Sequence, residues 1–176
     1  MTDINSNATL SVQVDCAGNE TTTTVGSIQL YDPSGVITRR LPANRSCNAT
    51  VTLYRVPGWA PKQSADDTRE NTCQSNRSKA TNAPWSQSAP VELGRLVNPE
   101  EDAISPTVNR MPTDNAGRYG WDVSQGCWYV VVTAPGYTML VSPVVGVPPA
   151  VTDLDLRLAP IVVDPQHALY LPMVQR

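Results

Sequence analysis

This chain of 176 residues is poor in the side chains that carry most enzyme chemistry and nucleic-acid binding. Its single histidine, His167, lies near the C-terminus, a poor place to hold a catalytic base within reach of a nucleophile. The only lysines are Lys62 and Lys79, the arginines are scattered, and the net charge is −3, so no basic surface is indicated. We therefore expect no enzyme, no catalytic residue and no nucleic-acid partner.

Metal-binding motifs and membrane spans are also missing from the sequence. No apolar run approaches the length of a membrane span. The histidine forms no zinc motif with glutamate, and the four cysteines include no Cys-x-x-Cys pair. Asp66-Asp67 and Asp114–Gly117 contain oxygens that calcium could use, but Asp-Asn before a glycine is typical turn chemistry. We expect no metal, no cofactor and no membrane insertion.

What the chain does contain is proline, at 16 residues, together with many threonines, serines and asparagines, and only 16% charged residues. This composition is typical of an extracellular β protein with many turns. We expect an extracellular or cell-surface location. Because Met1–Ser6 is polar and shows no signal peptide, we expect the export signal to lie outside this chain.

The four cysteines favour disulfides formed in an oxidising compartment. Three pairings are open, and a zinc site built from four scattered thiolates is the alternative. We predict a Cys16–Cys47 bond, which would join the N-terminal segment to the start of a strand at Asn48–Val56. We also predict a Cys73–Cys127 bond, which would join a long insertion to the core.

The strongest structural signal lies in Gly117–Tyr137. Apolar and polar residues alternate over Tyr119–Val123, which predicts a half-buried strand. Cys127–Thr133 is almost entirely aromatic or β-branched, which predicts a strand covered on both faces. Ser124–Gly126 predicts a tight turn between them. We interpret the stretch as a hairpin at the centre of a β-sandwich.

Alternation and turn residues predict further strands along the chain. These strands are Thr9–Asp15, Gly26–Tyr31, Val36–Arg40, Asn48–Val56, Met139–Val147 and Val151–Leu158. We predict a polar turn at Ala17–Thr24, a type I turn at Asp32–Gly35, and an edge or bulge at Pro143. The fold class is therefore all-β, an antiparallel sandwich of about seven strands, transthyretin-like or immunoglobulin-like.

Four segments carry a resemblance to a known family: Ile28–Gly35, Ala49–Tyr54, Thr113–Tyr119 and Tyr129–Tyr137. In this order they resemble the strands of a carboxypeptidase regulatory-like domain. That family has a transthyretin-like (prealbumin-like) β-sandwich, related in shape to the B-type repeats of bacterial surface adhesins. The resemblance spans about Gly26 to Leu158 and implies a domain of a bacterial secreted or surface protein. It implies little about activity, because function depends on a site and not on a fold.

The sequence divides into an N-terminal extension with one strand (1–25), the sandwich (26–160) and a strand-like C-terminal tail (161–176). The connection 57–112 departs from the family, which has a short link there. It is also far longer than the about 12–15 residues at which an unstructured loop becomes unusual. We expect an irregular insertion, held by Cys73, with at most one short ordered piece at Val91–Val97.

Two groups of residues are candidates for contact with a partner. Trp59 and Trp85 of the insertion, with Tyr54, could stack on a sugar or on another protein. The alternative is that both tryptophans hold the insertion against the sandwich. The apolar tail could add as a strand to another subunit or fold back onto its own domain. Its candidate residues are Leu169, Tyr170, Leu171, Met173 and Val174.

These observations predict a non-enzymatic extracellular structural or adhesive module. It would be part of a surface protein or a subunit of an assembly joined by strand donation from a terminal segment. Its expected partners are proteins, copies of the same chain among them. The alternative function is a ligand-binding accessory module, for which a carbohydrate bound by the insertion 57–112 is the best candidate.

Overall fold

The structure, a computed structural model, describes residues 7–16, 19–39, 48–74 and 94–161. This part of the chain is all-β, as predicted, and it contains no helix, so none that could span a membrane. The strands are β1 Asn7–Cys16, β2 Asn19–Gln29, β3 Ser34–Arg39, β4 Thr50–Arg55, β5 Ala60–Pro61, β6 Thr72–Cys73, β7 Arg95–Leu96, β8 Ile104–Ser105, β9 Met111–Pro112, β10 Arg118–Gly120, β11 Asp122–Val123, β12 Gly126–Thr133, β13 Leu140–Val141, β14 Val145–Val147 and β15 Leu156–Leu158.

The largest sheet is built around β12. Its strand order is β13-β12-β4-β7, with β14 also pairing with β12 and β9 with β4. The antiparallel pairing of β12 with β4 runs from Trp128 opposite Arg55 to Thr133 opposite Thr50. Every residue of β12 before Thr133 is buried. The prediction that this strand is covered on both faces is confirmed.

A second sheet has the order β10-β3-β15 and contains an unexpected parallel pair. β10 is antiparallel to β3, but β15 runs parallel to it, with Leu156 opposite Ile37. The prediction of a purely antiparallel sandwich is therefore wrong in this sheet. More than half of the chain separates β3 from β15, so no tight hairpin turn constrains the direction of the returning strand.

The prediction of a central hairpin is also wrong. β10 pairs with β3, and β11 pairs with β8, whereas β12 pairs with β4, β13 and β14. Ser124–Gly126 therefore carries the chain from one sheet to another. Alternation fixes which residues of a strand face the core, and Tyr119, Trp121 and Val123 are indeed buried. It does not identify the neighbouring strand, which depends on contacts distant in sequence.

The main core contains side chains from both sheets. Val51 and Leu53 of β4 meet Ile37 of β3 and Leu156 and Leu158 of β15 in one buried cluster. The aromatic members of this cluster have partners for their polar atoms. The Tyr119 hydroxyl donates to the Leu154 carbonyl at 2.7 Å, and the Trp121 indole donates to the Val108 carbonyl at 2.7 Å. Hydrogen bonding of this kind removes most of the cost of burying these groups.

A smaller cluster covers the opposite face of the main sheet. It contains Val56, Cys73, Cys127, Tyr129 and Val131, with other side chains packed at its margin. Cys73 comes from the insertion, so the insertion provides the cover that the outer face of β12 requires. Because this cover is part of the core, it cannot be a free surface loop.

The insertion 57–112 is more ordered than predicted, which corrects the expectation of at most one ordered piece. Its described residues form five short strands, β5 to β9. β7 and β9 pair with β4 on the side away from β12, and β8 pairs with β11. The physical reason is that unpaired N–H and C=O groups along an edge strand need partners. Of the segment predicted at Val91–Val97, Arg95–Leu96 is strand β7, and 91–93 lies outside the described residues.

The prediction of a polar turn over Ala17–Thr24 is wrong, because β2 begins at Asn19. β1 and β2 pair along their whole lengths, from Cys16 opposite Asn19 to Asn7 opposite Gln29, with one irregularity beside Leu10. Threonine has a high β propensity despite its polarity, so the run of threonines extends the strand. β2 also crosses the boundary that was expected between residues 25 and 26.

The prediction of a type I turn at Asp32–Gly35 is wrong as well. Pro33 forms a parallel bridge with Val151, and Ser34 and Gly35 belong to β3. The glycine is needed for close approach between chains, since a Cβ at Gly35 would collide with the Leu154 carbonyl. A glycine after Asp-Pro-Ser can therefore serve either a turn or, as here, the close approach of a neighbouring segment.

The predicted interruption at Pro143 is confirmed. β13 and β14 lie on either side of it, both pair with β12, and their registers are offset. Between them the Ser142 hydroxyl accepts a hydrogen bond from the Val130 N–H at 2.9 Å. The side chain thus satisfies a backbone group that the bulge would leave without a strand partner.

The predicted Cys73–Cys127 disulfide is confirmed, with the two Cα atoms 5.8 Å apart. It joins β6 of the insertion to β12, and both cysteines are buried. The predicted Cys16–Cys47 bond cannot be placed, because Cys47 lies outside the described residues. A disulfide is compatible with the expected extracellular location.

We expect the Cys73–Cys127 bond to stabilise the fold by about 2–4 kcal/mol, because it closes a loop of 54 residues. Replacing Cys73→Ala and Cys127→Ala together should lower the urea midpoint of unfolding. Adding a reductant should lower the midpoint of the original chain by more than that of the double variant, which keeps only the predicted Cys16–Cys47 pair. Equal midpoints for the two oxidised proteins would contradict this role.

Candidate functional site

The predicted contact residues of the insertion lie against the main sheet where the structure describes them. Trp59 and Tyr54 are half-buried and pack at the margin of the smaller cluster. The Tyr54 ring stacks on Tyr129, with centroids 5.1 Å apart and planes 9° apart. Trp85 and the five candidate residues of the C-terminal tail lie outside the described residues. The tail begins with an ordered contact, since the Ile161 N–H donates to the Gly136 carbonyl at 3.0 Å.

Trp59 also lines a cleft at one end of the main sheet. The cleft has a volume of about 460 Å³ and lies between the ends of β4 and β7, the segment that follows β4, and the start of β12. Its lining residues are Arg55, Val56, Pro57, Gly58, Trp59, Ala60, Pro61, Arg95, Gln125 and Gly126. The only charged side chains among them are the two arginines.

The arginines of the cleft share one buried carboxylate. Arg95 donates two hydrogen bonds to Asp102, from Nη1 to Oδ2 at 2.9 Å and from Nη2 to Oδ1 at 2.5 Å. Arg55 Nη1 lies 3.7 Å from Asp102 Oδ1. The Asp102 side chain is only 3% exposed, and it also accepts a hydrogen bond from the Asn98 N–H at 3.0 Å. This paired geometry fixes the plane of the Arg95 guanidinium.

The electrostatics agree with this geometry. Burial opposes ionisation of Asp102, but the hydrogen bonds from Arg95 and Asn98 and the charges of Arg95 and Arg55 outweigh it. The pKa of Asp102 is therefore below its usual range. The same hydrogen bonds raise the pKa of Arg95 above its usual range. Asp102 is the carboxylate within salt-bridge distance of both guanidinium groups, and the charge of Glu101 also acts on Arg95.

The aspartates considered for calcium make turns in the described structure. Asp114 Oδ1 accepts hydrogen bonds from the N–H groups of Ala116 and Arg118, both at 2.8 Å. Asp67 is paired with Arg69, whose hydrogen bond is the main reason that the pKa of Asp67 lies below its usual range. Within the described ranges no group of three or more metal-ligating side chains comes together.

The hairpin β1–β2 is the second feature with functional interest. Its described side chains are exposed, and none of them belongs to either core cluster. In antiparallel strands, directly opposed residues share a face. Val12 opposes Thr23 and Val14 opposes Thr21, so these four side chains form one face, which we call the valine face. Val12 is 45% exposed and Val14 is 49% exposed.

Arg95, Asp102 and Gln125 were missed by the sequence analysis. Arg95 lies in Val91–Val97, the one piece of the insertion predicted to be ordered, Asp102 in the part interpreted as irregular, and Gln125 in a supposed hairpin turn. Their proximity depends on the pairing of β7 with β4, which no local pattern indicates. The sequence gives a weak signal for Arg55. It follows Val51 and Leu53 at two-residue spacing, so a charged side chain is predicted on the core-facing side at the end of a strand.

Comparison of the chain with protein-family models, with curated proteins and with solved structures finds no match. The resemblance to carboxypeptidase regulatory-like domains therefore depends on the four segments alone and stays a prediction. Any function must be argued from the cleft and from the hairpin themselves.

Replacing Asp102→Asn should lower the free energy of unfolding at pH 7 by roughly 1–3 kcal/mol, since it removes charged hydrogen bonds at a buried site. The folded pKa of Asp102 is lower than the unfolded value of about 3.9. Its contribution is therefore present above about pH 4 and is lost as the pH falls through the folded pKa. Urea unfolding at several pH values should show the gap between the two proteins closing in acid.

Glu100→Gln is the matched control, because Glu100 is an exposed acid in the same turn. We expect it to unfold like the original chain at every pH. A gap between Asp102→Asn and the original chain that stays constant down to pH 2 would contradict the assignment.

Proposed function

We propose that the chain is a non-enzymatic extracellular structural module that associates with a second copy of itself through the hairpin β1–β2. The observation that carries this proposal is the valine face, an amphipathic surface exposed outside the core. It develops the expectation that a terminal segment joins subunits of an assembly. The C-terminal tail stays a prediction for the same role, since it lies outside the described residues.

The two faces of the hairpin differ in chemistry. The valine face presents two valines and the methyl groups of two threonines. The opposite face has Gln13 opposite Thr22 and Asp15 opposite Glu20, and the Gln13 amide donates to the Glu20 carboxylate at 2.8 Å. An exposed apolar face is a feature of contact surfaces. A second copy offers the same face, so a two-fold axis would bury both at once.

The stability of an isolated hairpin also favours a partner. Two strands alone are marginally stable in water, whereas a third strand or a packed apolar face makes a sheet stable. β1 and β2 form a two-stranded sheet within the described part of the chain. Neither strand contains proline or lysine, the residues that commonly protect exposed edges. Packing against a second copy would supply the stability that the hairpin lacks.

A ligand-binding accessory module is the second candidate function. The observation that favours it is the cleft, which combines Trp59 with two arginines and a glutamine. The two functions are compatible, because the cleft and the hairpin involve different residues.

Replacing Val12→Lys and Val14→Lys together should abolish self-association. Each copy would place two charges on a face that must be desolvated, and four valines would be lost from the contact. We expect the dissociation constant to rise by roughly a hundredfold or more. Sedimentation analysis of the oxidised protein over a wide concentration range measures this change.

Ser11→Lys with Gln13→Lys is the matched control, since it adds the same charge to the opposite face. This variant should associate like the original chain. If the original chain stays monomeric at high concentration, or if both double variants weaken association equally, the proposed contact is wrong.

A further inference from the structure

The cleft contains an ordered row of side chains across three strands. Trp128 of β12 lies opposite Arg55 of β4, and Arg55 lies opposite Arg95 of β7. The Arg55 guanidinium is 5.3 Å from the centroid of the Trp128 ring, which is fully buried. Like charges directly opposite each other on neighbouring strands repel. The row therefore needs anionic groups near both arginines.

Asp102 is one of those groups, and the charge of Glu101 also acts on Arg95. Asp102 makes a two-pronged contact with Arg95, while its distance to Arg55 is 3.7 Å, beyond direct hydrogen bonding. A guanidinium has five N–H donors, and the contact with Asp102 uses two of those on Arg95. The side chains of Arg55 and Arg95 are 35% and 44% exposed. Each therefore presents charged surface toward the cleft.

We propose that this cleft binds a carboxylate-bearing sugar, such as a uronic acid unit, with its carboxylate between Arg55 and Arg95 and its ring against Trp59. The proposal specifies a ligand for the second candidate function and is independent of self-association through the hairpin. The residues that carry it are two arginines, one tryptophan and Gln125.

The charge of the cleft selects an acidic ligand. Asp102 contacts both guanidinium groups and Glu101 also acts on Arg95, so an incoming carboxylate would pair with the arginine N–H groups that the contact with Asp102 does not use. The planar N–H groups of arginine match the geometry of a carboxylate, and the partly dry wall of the sheet strengthens the interaction. Asp102 and the Trp128 ring hold the two guanidinium groups before the ligand arrives, which reduces the entropy lost on binding.

The shape and lining of the cleft select a sugar. Trp59 and the flanking Pro57 and Pro61 provide an apolar wall, and the Gln125 amide can donate to or accept from a hydroxyl group. A volume of about 460 Å³ lies within the range of about 300–1,000 Å³ that is common for small-ligand sites. A sugar acid has a flat apolar ring face that would contact the tryptophan and prolines, and polar edges that would contact the Gln125 amide.

The test is titration calorimetry of the full oxidised chain with an oligomer of galacturonic acid at low salt. The same oligomer with its carboxylates methyl-esterified is the neutral control. We expect binding of the acid form only, with affinity falling as salt is raised. Arg55→Gln and Arg95→Gln should each weaken binding by roughly tenfold or more, because each removes charged hydrogen bonds. Trp59→Ala should weaken it as well.

Arg157→Gln is the matched variant, since it removes an exposed arginine from β15 in the other sheet. It should bind like the original chain. Equal affinity for the acid and the ester, equal weakening by all three arginine variants, or no binding of the acid by the folded chain would overturn the proposal. Binding of a peptide through its C-terminal carboxylate with higher affinity than the sugar acid would also overturn it. The solution mass, measured in parallel, reports on self-association through the hairpin, so a failure of sugar binding can be distinguished from a failure of self-association.

Discussion

Strand β12 is buried on both faces from Gly126 to Val132, and each face requires its own cover. The inner face is covered by the second sheet, through Ile37 and the strand β15. The outer face is covered by the insertion, which the Cys73–Cys127 bond fixes to β12 itself. Burial of each large apolar side chain contributes about 1.5–3 kcal/mol, so neither cover is dispensable. The described part of the insertion therefore acts as a structural layer on this sheet.

The cleft is located where this double cover ends. The core-facing positions of β4 are Val51 and Leu53, and the next position of the same face is Arg55. A charge cannot be buried there without a partner, so the sheet ends in a partly open row of charged groups stabilised by Asp102 and the Trp128 ring. The segment after Arg55 then lines the same cleft, where Trp59 also packs against the smaller cluster. The polar cleft is thus a direct consequence of ending a buried strand with arginine.

Local patterns in the sequence predicted which residues face the core and where most strands lie. Val51, Leu53, Trp121 and Leu156 are buried as the alternation indicates, because side-chain direction depends only on neighbours in the chain. Pairing depends on distant segments, and there the predictions were wrong: Tyr119 and Trp128 belong to different sheets. The charged part of the cleft could not be predicted for the same reason. Arg95 lies beside Arg55 only because β7 fills the open edge of β4.

The hairpin β1–β2 presents the opposite situation to β12. β12 has cover on both faces from its own chain, while the described side chains of the hairpin have none. The same physics applies to both, since apolar groups and open strand edges are stabilised only by contact. For β12 the cover comes from the second sheet on one face and from described residues of the insertion, such as Cys73, on the other. Val12 and Val14 are 45% and 49% exposed, and within the described residues neither belongs to a core cluster. In the proposed pair, a second copy would present to each hairpin the same face that the hairpin leaves exposed, so one two-fold contact would cover both.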